Sequence, residues 1–270
     1  MNWFDAILLA LIEGLTEFLP VSSTGHMIFA SSIAEIQDSA FIKMFQVSIQ
    51  FGAILAVVFL YWKKFFKETS FQFYLKLGFA VIPALVLGLF FDDLIESVLE
   101  KPVPIAITLI DGGDVLAFID RFFKNPRVLK EEDISFRKAI TIGFWQCLAM
   151  MPGTSRSAAS IIGGMQQGLS RKTAAEFSFF LAVPTMFAVT CYSVFLKKWE
   201  VSPEIKMKGY EMILASKESL TFFLVGNVVA FIVAVLAIKF FIGILNRYGF
   251  KVWGWYRIVA GSLLLLYFLL

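Results

Sequence analysis

The chain has 270 residues, 59% hydrophobic and 17% charged, with a mean hydropathy of +0.77. Soluble domains carry roughly 25% charged and 45–50% apolar residues, so a water-soluble globular fold is excluded. The net charge of +3 gives no ground for nucleic-acid binding, and with His26 as the one histidine, chemistry needing two imidazoles is excluded too.

The first apolar region, 3–34, is broken at Pro20 by the polar run LPVSSTGH. Its opening, MNWFDAILLALIEG, carries Asp5 and Glu13 and lacks a basic start, so it reads as mature protein and not as a cleaved signal. Three spans follow near 41–62, 71–91 and 102–122, each close to the roughly 20 apolar residues that cross a bilayer. A second broken region, 139–168, is interrupted at Pro152 by MPGTSRSAAS, and three more spans lie near 173–196, 219–245 and 250–270. The pieces of the two broken regions are too short to cross but suit hairpins that enter and leave on one side, around a cavity. The expected fold is therefore an all-α integral membrane protein of one domain, 1–270, with six full transmembrane helices and two re-entrant helical hairpins.

A shift of 132 residues places Pro20 on Pro152, Ser22 on Thr154, Ser23 on Ser155 and Phe45 on Phe177. Halves of about 1–132 and 133–270 would each hold one hairpin and three spans. An odd number of crossings inverts one half against the other, an inverted-topology repeat whose broken elements meet near the midplane. With six spans, fourteen Lys and Arg, from Lys63 to Arg257, fall on one side and seven, from Lys43 to Lys217, on the other. The richer side is expected to be cytoplasmic, so both termini and the mouth of the first hairpin face outward. The loop 92–101, acidic except for Lys101, fits that outward position. Cys147 and Cys191 lie in apolar stretches without metal-ligand spacing and read as small core residues.

The chemistry gathers at the breaks. Glu13 and Glu17 are four apart and share a helix face. They are either interfacial and solvated, or a divalent-cation or acid/base pair, Mg²⁺ and Ca²⁺ both preferring such oxygens. Beyond Pro20, Ser22, Ser23 and Thr24 can cap a new helix, and Gly25 lets backbone approach a ligand. A helix N-terminus of this kind binds anions. His26 stands three residues past Ser23, either a satisfied structural residue or a catalytic one. The second break repeats the hydroxyls with Thr154, Ser155, Ser157 and Ser160, and adds Arg156. Its guanidinium suits bidentate phosphate binding, or a buried ion pair with Glu13, Glu17 or Glu176.

EGLTEFLPVSSTGHM at 13–27, PGTSRSAAS at 152–160 and LSRKTAAEFSFFLAVPTM at 169–186 resemble the bacterial undecaprenyl-diphosphate phosphatases of the bacitracin-resistance type, over essentially the whole chain. The resemblance implies hydrolysis of undecaprenyl diphosphate to the monophosphate carrier used in peptidoglycan synthesis. It also implies the inverted-repeat fold, the bacterial cytoplasmic membrane as location, and a site facing outward. Its acidic motif falls on Glu13 and Glu17, its serine and histidine on Ser23 and His26, and its arginine on Arg156, with Ser155 and Ser157 as phosphate ligands. Ser160 stands where the family pattern has threonine, and Asp111 and Asp114 interrupt a span that the pattern keeps apolar, with Lys76 one conceivable partner. The expected reaction uses Ser23 as nucleophile with His26 as base, or water activated by His26, with a divalent cation, Mg²⁺ or Ca²⁺, on Glu13 and Glu17. The rival function is a polyprenyl-phosphate flippase using the same arginine and helix ends to bind the headgroup. Besides the polyprenyl diphosphate and membrane lipids, a second copy is the partner considered, as a homodimer.

Overall fold

The computed structural model describes residues 1–36, 39–68, 70–99 and 102–270, and its regular structure is helical apart from one β-hairpin. In chain order, α1 (Trp3–Thr16) and α2 (Ser23–Ile33) come from the first broken region, and α3 (Ala40–Ser48) runs on into α4 (Gln50–Leu60). After α5 (Phe71–Leu99) and α6 (Pro102–Phe122), the second broken region gives α7 (Phe136–Cys147) and α8 (Arg156–Gln166). α9 (Arg171–Cys191) is prolonged by a π turn to Leu196. The antiparallel strands β1 (Lys198–Ser202) and β2 (Ile205–Lys208) and the short α10 (Gly209–Leu214) precede α11 (Lys217–Tyr248) and α12 (Lys251–Leu269).

Among the described residues, six segments are long and apolar enough to cross a membrane: Ala40–Leu60, Phe71–Phe91, Pro102–Phe122, Arg171–Leu196, Lys217–Tyr248 and Lys251–Leu269. They are the six expected from the sequence. Phe59, Leu89, Phe90, Leu236 and Leu263 are exposed on their outer faces, as suits hydrocarbon and not water. α9 runs through the middle, where Phe177, Phe179, Phe180 and Leu181 are buried. Edge-to-face rings bind it to its neighbours, Phe18 to Phe179 at 5.5 Å, Phe73 to Phe180 at 5.5 Å and Phe179 to Phe241 at 5.9 Å.

The four helices of the broken regions have 14, 11, 12 and 11 residues. At 1.5 Å per residue they reach only about 16–21 Å. Their starts repeat with an offset of 133, one more than the alignment by proline suggests: Trp3 with Phe136, and the caps Ser22 with Ser155. The proline stands two residues before the cap in the first break and three in the second, so no single register fits both landmarks.

Three expectations need correction. The acidic run 92–99 is not a loop, because α5 continues to Leu99, no glycine or proline arising until Pro102; Glu100 and Lys101 lie outside the described residues. Arg257 does not belong with the loop cations: it sits inside α12 with no exposed surface, leaving thirteen of the fourteen on that side. Lys76 is no partner of Asp111 or Asp114; its ammonium donates to the carbonyl of Glu132 at 3.0 Å. Both aspartates point outward from the middle of α6, where a charged side chain costs about 2.5–3.5 kcal/mol on insertion scales. The β-hairpin was not foreseen from the sequence; it buries Trp199, whose indole N–H donates to the carbonyl of Ser193 at 2.9 Å.

Candidate active site

α1 delivers Glu13 and Glu17 to the break. An Asn2–Asp5 capping box starts the helix, and Gly14 lets it lie against α11, since a Cβ there would come within 2.6 Å of the Ala230 carbonyl oxygen. Glu17 is the C-cap, and the chain then turns at Pro20 into α2. Ser22 caps α2 and Ser155 caps α8 with the same geometry: φ of 72° in each, and a side chain accepting from the backbone N–H of Gly25 or Ala158. That left-handed conformation is strained for a serine. The two helix N-termini therefore leave their turns in the same way.

Glu17 joins the halves. Its Oε2 accepts from the Ser23 hydroxyl at 2.6 Å and its Oε1 from Arg156 Nη2 at 3.0 Å, while Arg156 Nη1 donates to the carbonyl of Ser178 on α9 at 3.0 Å. All three residues are almost fully buried. Arg156 Nε has no partner among the described residues, and its guanidinium lies 5.9 Å from the Phe18 ring. Glu13 is wholly buried, and neither of its carboxylate oxygens has a hydrogen-bond partner among the described residues. Two buried carboxylates facing one guanidinium leave a negative excess, which a cation or a proton would offset. Glu176, the other acid considered for Arg156, instead pairs with Lys64 at 3.2 Å.

The other hydroxyls divide. Thr24 and Thr154 are half-buried beside the caps. Ser155 and Ser157 lie 3.4 Å apart through their hydroxyls. Ser160 is turned away, donating to the carbonyl of Arg156 at 2.9 Å and touching the Ser178 hydroxyl at 2.6 Å. Gly25 approaches Ile105 of α6, where a Cβ would sit at 3.4 Å.

His26 is not joined to Ser23. Its Nδ1 lies 2.8 Å from the carbonyl oxygen of Ser22 and its Nε2 2.7 Å from the hydroxyl of Tyr256. A carbonyl can only accept, so Nδ1 carries the proton and Nε2 accepts from Tyr256. The two rings are within 8° of parallel.

Sequence reasoning missed Tyr256 and its neighbour Arg257. All five N–H donors of Arg257 are used on backbone carbonyls: Nε on Leu109, Nη2 on Thr108 and Gly153, and Nη1 on Pro20 and Thr154, at 2.9–3.2 Å. A single nitrogen thus holds carbonyls of both breaks. Gly112 makes room for it, as a Cβ there would meet Nη2 at 2.3 Å. The signal available in the sequence was one arginine six residues into a span, readable as a flanking charge.

A family model described as bacitracin resistance protein BacA matches residues 6–263. A protein of Flavobacterium johnsoniae named undecaprenyl-diphosphatase is 52% identical, covering 98% of this chain and 96% of its own length. Proteins of the same name from Porphyromonas gingivalis and Bdellovibrio bacteriovorus are 48% and 45% identical over the same shares.

Proposed function

Because the chain belongs to the bacitracin resistance protein BacA family, we propose that it is an undecaprenyl-diphosphatase, hydrolysing undecaprenyl diphosphate to undecaprenyl phosphate and inorganic phosphate. The observation that carries the proposal is the Ser23–Glu17–Arg156 chain, an activated hydroxyl beside a phosphate-binding fork, drawn from both breaks. The flippase alternative has no support from the relatives, whose name is that of a phosphatase. The product would recycle the lipid carrier for peptidoglycan and underlie resistance to bacitracin.

In this reading Arg156, the N-termini of α2 and α8 and the hydroxyls of Thr24 and Thr154 bind the terminal phosphate. Glu17 takes the proton of Ser23, whose Oγ bonds to the terminal phosphorus. The bond to the bridging oxygen breaks, and its electron pair leaves with undecaprenyl phosphate. Water then cleaves the phosphoserine, giving its proton to the Tyr256 hydroxyl as that hydroxyl passes its own to His26 Nε2, and Glu17 returns a proton to Ser23. This departs from pairing Ser23 with His26, in keeping with their separate hydrogen bonds. The orphaned oxygens of Glu13 and the adjacent Glu17 fit a divalent cation, Mg²⁺ or Ca²⁺. Such an ion, when bound, supplies positive charge to the diphosphate.

The location proposed is the bacterial cytoplasmic membrane with the site open outward, supported by thirteen cations against seven on the two sides. The 133-residue offset of the caps, with three spans in each half, supports an inverted repeat of two re-entrant hairpins. Purified protein in detergent is expected to release phosphate from undecaprenyl diphosphate, to stop on chelation and to resume with Mg²⁺ or Ca²⁺; no release with either metal would overturn the proposal. A labelled phospho-adduct on Ser23 is expected on trapping, and substantial turnover by Ser23→Ala would exclude the covalent route. Tyr256→Phe removes one hydrogen bond worth about 1 kcal/mol. It should lower kcat about fivefold with little change in KM, and an unchanged kcat in steady-state assays would remove Tyr256 from the site.

A further inference from the structure

α6 ends at Phe122 and α9 begins at Arg171, and Arg171 Nε donates to Asp120 Oδ1 at 2.6 Å, which ties the two ends together. Both are ends of membrane-crossing segments, so this contact marks a border of the hydrocarbon, on the side richer in Lys and Arg. A cavity of about 550 Å³ lies there, walled by the end of α6, the loop 123–127, Lys138 of α7 and the end of α8 with its turn to Leu169.

The backbone fixes these walls. The N–H groups of Arg127 and Val128 donate to the carbonyl of Gly168 at 2.8 and 3.0 Å, and that of Ser170 to the carbonyl of Val128 at 2.9 Å. Arg121, Lys124, Arg127 and Lys138 line the cavity, and among the described residues lining it none is acidic. The ion pairs found nearby use other cations, Lys64 with Glu131 and Glu176, and Arg171 with Asp120. Membrane orientation accounts for cations on this side, but it does not require four of them around one hollow without an acid. Phe122 and Phe123 line the same cavity and are 78% and 36% exposed, an apolar lip at the depth where aromatic rings meet lipid headgroups.

We propose that this cavity holds the headgroup of an acidic phospholipid, with Arg121, Lys124, Arg127 and Lys138 neutralising the phosphate and the acyl chains lying along Phe122 and Phe123. Basic pockets between crossing helices suit such headgroups, and the volume is that of a small-molecule site. A soluble phosphate would use the cations but not the exposed rings. The cavity is distinct from the candidate active site: α8 starts there with Arg156 and reaches the cavity at Gln166, about 15 Å along the helix. The proposal is independent of the hydrolytic reading.

Native mass spectrometry of the purified full chain in detergent, titrated with phosphatidylglycerol or with phosphatidylcholine of the same chains, counts bound lipid. The wild-type chain is expected to hold one phosphatidylglycerol at least about tenfold more tightly than phosphatidylcholine, and Lys124→Gln with Arg127→Gln and Lys138→Gln to abolish that preference. Lys63→Gln with Lys67→Gln and Lys172→Gln removes the same charge from exposed positions outside the cavity, and should leave binding within about twofold of wild type. An unchanged melting temperature reports that each variant is folded. If the triple cavity variant does not fold, Arg127→Gln and Lys138→Gln should each weaken phosphatidylglycerol binding severalfold. Excess inorganic phosphate should fail to displace the lipid. Equal binding of the two lipids, a cavity variant that binds like wild type, an equal loss in the outer variant, or displacement by inorganic phosphate would overturn the proposal, the last by assigning the cavity to a soluble anion.

Discussion

Glu17→Gln is expected to lower turnover about a thousandfold with the protein still folded. A side chain that takes a proton in the transition state contributes about 10²–10⁴-fold, and Glu17 accepts the Ser23 hydroxyl at 2.6 Å. The amide keeps the shape but loses both the proton acceptor and the negative charge facing Arg156 Nη2. Removing one member of a buried ion pair ordinarily costs about 3–5 kcal/mol. Here the loss is smaller, because Glu13, buried with unused oxygens, remains as the carboxylate for Arg156. The melting temperature in detergent should therefore change little while phosphate release collapses. Turnover within tenfold of wild type would take Glu17 out of the proton path.

Arg257→Leu is expected to do the reverse, attacking the fold first and the reaction through it. The leucine leaves five buried carbonyls, on Pro20, Thr108, Leu109, Gly153 and Thr154, without their donor. A buried polar group stripped of its partner costs about 1–3 kcal/mol. Relief from burying an unpaired charge offsets part of the sum, so a net loss of about 5 kcal/mol is expected, enough to deplete the folded protein. Arg257→Lys keeps the charge but has three donors for five acceptors and should fall between the two. Thermal melting and folded yield in detergent check this, and an Arg257→Leu protein as stable as wild type would show that the carbonyls find other donors.

The spans were legible because about 20 consecutive apolar residues have few other uses, and the breaks because LPVSSTGH and MPGTSRSAAS put proline and hydroxyls where hydrocarbon was expected. The caps were legible as residue types, but not their register, since the second break inserts one residue between proline and cap. The partner of Ser23 was misread for a geometric reason. Spacing along a helix assigns neighbours on one face, whereas Ser23 is the first residue of α2 and its hydroxyl reaches back to the end of α1. Arg257 was hidden by its position near the end of an apolar stretch, where a cation ordinarily extends to the interface. Its five acceptors come from three distant stretches of chain, which no local pattern can reveal.

A carrier built from two broken helices moves its cargo by letting one bundle rock against the other, so that the central crevice opens first to one side and then to the opposite one. The guanidinium that grips Pro20 and Thr154 through one nitrogen opposes that stroke, because any sliding of the two turns would have to break hydrogen bonds made by a wholly buried side chain. One buried side chain thereby ties the two turns together and holds the spacing between them, the constancy on which bond-breaking depends.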